Sequence, residues 1–200
     1  MTRWYQEKKQ DHFYKKAKAE GYRARSAYKL LQLQKCFHIL SAGDTVIDLG
    51  AAPGGWSQVA RKIVGINGSV IGVDLQPIQA LIDVVFITGD VTDDATIQAL
   101  YEQMDERAAD VVLSDMSPDI SGNYSVDHAR SVYLCQQALE IAAQVLKSRG
   151  TFVCKLFEGD MIQDFISELQ QEFSVIKRFH PRASRKSSSE IYIVAKQFKQ

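Results

Sequence analysis

The stretch Thr45-Val46-Ile47-Asp48-Leu49-Gly50-Ala51-Ala52-Pro53-Gly54-Gly55-Trp56-Ser57-Gln58 decides the fold. Its first five residues, apolar or β-branched except for one aspartate, read as a strand buried on both faces. Small residues and glycines follow, and a helical pattern begins near Trp56. Glycine lets the main chain approach a ligand closely. The free amide N–H groups of a helix's first turn then face whatever lies in the loop. The spacing is not the dinucleotide fingerprint Gly-x-Gly-x-x-Gly, because the glycines fall at Gly50, Gly54 and Gly55 and Pro53 stiffens the middle. Asp48 beside the turn would repel a pyrophosphate. It suits a cationic ligand, such as a sulfonium compound carrying an amino group.

Outward from this turn, short apolar runs alternate with amphipathic ones. Strands are expected at Thr45–Leu49, Ser69–Val73, Val84–Thr88, Asp110–Ser114, Thr151–Leu156, Ser174–Phe179 and Ile191–Ala195. Helices are expected at Ser26–Phe37, Ser57–Val64, Ala95–Met104, Asp127–Lys147 and Met161–Gln171. The alternation predicts an α/β fold, a mostly parallel seven-stranded sheet with helices on both faces. The last two strands have no helix between them and are expected to form an antiparallel hairpin at one edge, joined by the polar segment His180–Ser189. In such a sheet ligands bind beyond the carboxyl ends of the strands, near the switch point. The unusual polar residues Asp48, Asp74, Asp90, Asp115 and Lys155 each stand at or just past the end of an apolar run. An acid in the place of Asp74 can accept from both ribose hydroxyls of an adenosine, and one at Asp90 from an exocyclic amine. Any one of them alone could be a loop or N-cap aspartate; three at successive strand ends after a glycine-rich turn point to a ligand. Lys155 interrupts an apolar strand, and Asp115 ends what should be the neighbouring one. The pair reads either as a structural ion pair or as a base and its orienting acid, since burial and a nearby cation favour the neutral amine.

The bulk properties fit one soluble domain of 200 residues. No apolar run is long enough to span a bilayer, and the polar N-terminus lacks a signal core, so a cytoplasmic location is expected. Cys36, Cys135 and Cys154 show no metal-ligand or redox spacing. His12, His38, His128 and His180 are scattered, so no metal site is expected. The formal net charge of zero conceals a polarity. Residues 1–35 hold ten Lys/Arg against three Asp/Glu, and residues 177–200 hold seven against one. Basic ends on an acidic body suggest a polyanionic partner. The basic aromatic segment 1–25 has Trp4, Tyr5, Phe13, Tyr14, Lys15, Lys16, Lys18, Tyr22, Arg23 and Arg25. It could stack on unpaired bases and follow phosphates, or form an amphipathic helix with its aromatics on the body.

Several motifs resemble the FtsJ/RrmJ (RlmE) family of ribosomal RNA 2′-O-ribose methyltransferases. They are Arg25-Ser26-Ala27-Tyr28-Lys29-Leu30, Asp48 through Gln58, Ser114-Asp115-Met116, Val153-Cys154-Lys155 and Ser184 through Tyr192, and the likeness runs from about Tyr22 to Ala195. The resemblance implies a Rossmann-like class I methyltransferase. It implies a catalytic set of Lys29, Asp115, Lys155 and Glu190, with S-adenosyl-L-methionine contacted by Gly54, Trp56, Asp74, Asp90 and Asp115. Asp48, Gly50 and Gly55 complete the expected cofactor lining. It implies a uridine ribose of large-subunit (23S) ribosomal RNA as acceptor, and a monomer is expected. Where the family commonly shows Ala-Pro-Asn, this chain has Ser117-Pro118-Asp119. The alternatives are a non-catalytic RNA-binding ribosome assembly factor and the same chemistry on transfer RNA. A nicotinamide-dependent oxidoreductase is disfavoured by the missing fingerprint.

Overall fold

The computed structural model describes residues 12–104, 108–185 and 188–199. The elements run α1 (His12–Ala19), α2 (Ala27–Phe37), β1 (Thr45–Leu49), α3 (Gly55–Val64), β2 (Ser69–Asp74), β3 (Val85–Thr88), α4 (Asp94–Met104), β4 (Ala109–Ser114), α5 (Tyr124–Val145), β5 (Leu146–Phe157), α6 (Ile162–Glu172), β6 (Phe173–Phe179) and β7 (Glu190–Phe198). The seven strands form one sheet in the order β3-β2-β1-β4-β5-β7-β6. Only β7 runs against its neighbours β5 and β6; the remaining pairs are parallel. The mostly parallel sheet with an antiparallel edge hairpin is therefore as the sequence predicts.

The chain leaves β1 in one direction to build β2 and β3, then returns to the other side of β1 to build β4. That reversal opens a crevice beyond the carboxyl ends of β1 and β4, the usual place for a ligand. All five residues of β1 are buried, as a central strand covered on both faces requires. One face packs Ile47, Leu49, Val112 and Phe152 against α5 and α6 residues such as Val132, Ile141 and Phe165. The other packs Val46, Val111, Leu113, Val153, Tyr192 and Val194 against Leu30 and Leu33 of α2 and Trp56, Val59 and Ala60 of α3.

Several boundaries differ from the sequence reading, those of α5 and β5 for local reasons. Helix α5 starts at Tyr124, three residues before the expected Asp127, because the Asn123 side chain caps it by accepting from the amides of Ser125 and Val126. It stops at Val145, and β5 begins at once at Leu146, five residues before the expected Thr151. The register to β4 shifts between Ala109 and Val111. The exposed Lys147-Ser148-Arg149 segment bulges there, and Arg149 takes a left-handed conformation. Regular pairing resumes at Thr151, where the apolar run starts. Among the described residues, no helix is long and apolar enough to cross a membrane.

Candidate active site

Side chains on a strand alternate between faces, and that parity assembles the site. The row Val46, Asp48 on β1 points to the α2/α3 face. So do Val111, Leu113 and then Asp115 past β4, Val153 and Lys155 on β5, and Glu190, Tyr192 and Val194 on β7. Each row begins apolar in the core and turns polar at the carboxyl end of the sheet. Ser114 pairs with Cys154, so Asp115 follows level with Lys155, and Lys155 pairs with Tyr192 across the antiparallel ladder. Lys29 descends on the same face from α2, whose buried Leu30 and Leu33 fix its rotation.

The four residues expected to act together do converge, as two ion pairs. Lys155 Nζ donates to the Asp115 main-chain carbonyl at 2.9 Å and lies 3.5 Å from Asp115 Oδ1. Lys29 Nζ stands 2.6 Å from Glu190 Oε1. Lys155 is only 6 % exposed and Glu190 8 %. Burial pushes the Asp115 carboxyl up. The charges of Lys155 and Lys29, with hydrogen bonds from Tyr192 and Lys155, outweigh it and hold the group below the usual carboxylate range.

The other acids are held differently. Asp74 Oδ2 accepts from the Ala52 amide at 2.9 Å and Oδ1 from the Gln76 amide at 2.8 Å. Asp90 Oδ1 accepts from the amide and hydroxyl of Thr92, which lower its pKa. Asp48 is fully buried, and its Oδ2 accepts from Ser57 Oγ at 2.6 Å. Burial pushes its pKa up to about 7, helped by the charges of Asp115 and Asp74 and opposed by the Ser57 hydrogen bond. Among the described residues, Asp48 Oδ1 has no hydrogen-bond partner. Among the described residues, no cation pairs with Asp48, Asp74 or Asp90. A buried unpartnered carboxylate oxygen beside a glycine-rich turn favours a donor or a positive charge nearby. The donor set therefore fits a ligand that carries positive charge and N–H donors.

The turn itself requires its glycines. Gly50 and Gly54 both take positive φ. A Cβ on Gly50 would come within 2.6 Å of Met116, and one on Gly54 within 2.7 Å of the Arg23 guanidinium. Gly55 opens α3, followed by buried Trp56, whose indole N–H donates to the Ser26 carbonyl at 2.9 Å. That bond ties the turn to the helix that carries Lys29.

Three contributors escape a residue-by-residue reading. Tyr192 lies fully buried and donates its hydroxyl to Asp115 Oδ1 at 2.7 Å. Its strand parity with Glu190 was the available signal. Ser57 holds Asp48, and its place in the first turn of α3 would have hinted at this. Arg23 donates to the carbonyls of Pro53, Gln79 and Ala80, bracing the turn against the loop after β2. No sequence pattern marks that role.

The N-terminal expectations divide. Residues 1–11, with Trp4 and Tyr5, lie outside the described residues, as does Lys186. Helix α1 buries Ala17, and Phe13 and Tyr22 pack on Tyr28 at ring-centroid distances of 5.5 and 5.7 Å. These two aromatics thus pack on the body, Phe13 from α1 and Tyr22 from the turn after it. Lys15 and Lys18 remain exposed, as do Arg182 and Arg185. Arg25 donates to the Ala183 carbonyl and docks the β6–β7 connection on α2. Asp119 is exposed, with its carbonyl bonded by Arg130.

Comparison with known proteins gives a consistent pattern. A family profile described as FtsJ-like methyltransferase matches residues 22–198. The chain is 50 % identical over 186 residues to ribosomal RNA large subunit methyltransferase E of Methanothrix thermoacetophila, covering 93 % of this chain and 72 % of that protein. It is 47 % identical over 200 residues to the protein of the same name from Methanocaldococcus jannaschii, covering 98 % and 82 %. A crystal structure described as a ribosomal RNA methyltransferase from Plasmodium falciparum superposes with a TM-score of 0.80 at 27 % identity, covering 88 % of this chain and 98 % of that one.

Proposed function

The chain belongs to the FtsJ-like methyltransferase family, and on that premise we propose that it methylates a ribose 2′-hydroxyl, of a uridine in large-subunit ribosomal RNA, with S-adenosylmethionine as donor. The observation that carries the reading is the convergence of Lys155, Asp115, Lys29 and Glu190 beside an acid-lined turn. The relatives' name supports the choice of ribosomal RNA. Exposed Lys15, Lys18, Arg182 and Arg185 supply cations on the α1 and β6–β7 segments. Phosphate contacts of that kind weaken steeply with salt.

The donor's methyl group is activated on sulfonium, so the chemistry left to the protein is alignment and removal of one proton. Gly50, Gly54, Gly55 and Trp56 form the turn that would hold the donor, with Asp48, Asp74 and Asp90 meeting its polar groups. Lys155, as the neutral amine, takes the proton from the ribose 2′-oxygen. Asp115 positions that amine through its main-chain carbonyl and, more distantly, through its carboxylate. Lys29 faces the acceptor ribose or its phosphate. Of the two roles open to Glu190, the 2.6 Å ion pair favours orienting Lys29 over bonding a neighbouring ribose hydroxyl.

The test is incubation with methyl-labelled S-adenosylmethionine and separated ribosomal RNAs or subunits. Label at one alkali-resistant linkage of large-subunit RNA is the expected result. Label on a base, or label confined to transfer RNA, overturns the acceptor assignment. RNA binding without any transfer favours the assembly-factor alternative.

A further inference from the structure

We propose that Tyr192 is a positioning residue of the methyl transfer: its hydroxyl occupies the Asp115 carboxylate oxygen that Lys155 faces, and so weakens that carboxylate's hold on the charged form of the lysine. The proposal rests on the reading of Lys155 as the base. Two donors face one oxygen. The phenol is 2.7 Å from Asp115 Oδ1, a full hydrogen bond, whereas the Lys155 amine is 3.5 Å away. The amine spends its short bond on the Asp115 main-chain carbonyl, which fixes its place without lending it a negative charge. A hydroxyl donating to a carboxylate is a strong, charge-assisted bond. It draws charge toward the phenol and away from the lysine.

The ring is held for this task. Tyr192 is 0 % exposed and packs on Trp56 at a centroid distance of 5.6 Å, while the Lys29 ammonium sits 5.7 Å from its ring centroid. Burial first, then the charges of Asp115 and Glu190, raise the phenol's pKa well above its ordinary value. The hydroxyl therefore stays a donor at any pH at which the protein works. The other charged or titratable groups facing this cluster are Asp48 on β1, Lys29 on α2, Glu190 beside it on β7, and Arg25, ahead of α2, which faces Glu190. From the opposite face, Cys135 on α5 donates to the Lys155 carbonyl.

Tyr192→Phe keeps the ring and removes only the hydroxyl. With saturating donor and RNA, kcat at pH 7 should fall about tenfold, the size of one hydrogen bond to a charged group. The rising limb of kcat against pH should move alkaline by roughly one unit, because an unshared carboxylate favours the ammonium. At high pH the rate should recover toward wild type. Donor Kd should barely change, and Tm should fall by only a few degrees, about what one buried hydrogen bond contributes. The displacement should persist on an Asp48→Asn background, which removes the nearby carboxyl whose pKa burial pushes up to about 7. A second variant reverses the sign: 3-fluorotyrosine at position 192 is a stronger donor and should move the limb toward acid. A lower rate or Tm with an unmoved pH limb in both variants would reduce Tyr192 to packing and sink the proposal. Full activity of Lys155→Ala would instead sink the reading of the base on which it rests.

Discussion

The two halves of the crevice treat charge in opposite ways. On the β1–β3 side, three carboxylates are held by neutral donors: Ser57 on Asp48, main-chain amides on Asp74, and Thr92 on Asp90. On the β4–β5–β7 side, each carboxylate faces an ammonium: Asp115 faces Lys155 and Glu190 faces Lys29. Neutral donors fix an acid without cancelling its charge, so the first half keeps a net field for a cationic ligand. Paired charges nearly cancel, so the second half suits a neutral hydroxyl whose proton must move a short way. One half is built to bind and the other to react, and variants in each should fail differently.

The sharpest way to break this contrast is Lys155→Ala. Turnover should drop about 10²–10⁴-fold, the usual contribution of positioned proton removal, while donor affinity measured by calorimetry stays nearly unchanged. Loss of donor binding with intact turnover would erase the division. The opposite pattern is expected on the other side. Asp74→Ala should weaken the donor's Kd about 10- to 100-fold, the range for lost hydrogen bonds to a charged group. Its kcat at saturating donor should remain close to wild type.

Asp48 tests the comparison through stability. Its folded-state pKa, about 7, lies above the ordinary 3.8. A raised value means that the group's contribution is fully present below about pH 4 and is lost as pH rises through about 7. Ionised Asp48 is then a cost to the ligand-free protein. Asp48→Asn should raise the ligand-free Tm by several degrees at pH 8, at roughly 2–4 °C per kcal/mol for a chain of this size. The gain should be smaller at pH 5, and the same variant should bind the donor more weakly. Equal Tm changes at both pH values would contradict the assigned titration. The smallest effect is expected from Glu190→Gln. It replaces the charged partner of Lys29 by an amide that can still accept its hydrogen bond, and should lower kcat only about two- to fivefold, the size of one ordinary hydrogen bond. A loss as large as that of Lys155→Ala would mean that Glu190 touches the reacting atoms.

Much of this arrangement is legible in the sequence because a buried parallel sheet advertises itself. Runs such as Thr45–Leu49 and Asp110–Ser114 are nearly continuous in hydrophobicity, so a charged residue within or after them stands out. Asp48, Asp115 and Lys155 are visible for that reason. Glu190 is not, since an acid opening an edge-hairpin strand is ordinary; only the family resemblance marked it. Tyr192 falls within an expected strand, where nothing marks its hydroxyl, and that hydroxyl's partner is 77 positions away. The bulge at Lys147–Arg149 was hidden because helix and strand abut without a loop. The fate of Phe13 and Tyr22 turned on what Tyr28 offered them across the turn between α1 and α2, which composition does not reveal.

The reversed direction of β7 has a consequence for how such a chain can change in length. Because β7 runs against β5, its first residues arrive where the other strands finish. Glu190 and Tyr192 are therefore placed by the odd–even count of one strand. The ten residues between His180 and Ser189 could gain or lose a position and leave that count intact. A single insertion or deletion between Glu190 and Val194 would turn every following side chain over. It would send a core valine toward the helices on the far side and carry the acid or the phenol out of reach. Evolution is free to edit the approach to this strand, but not its arithmetic.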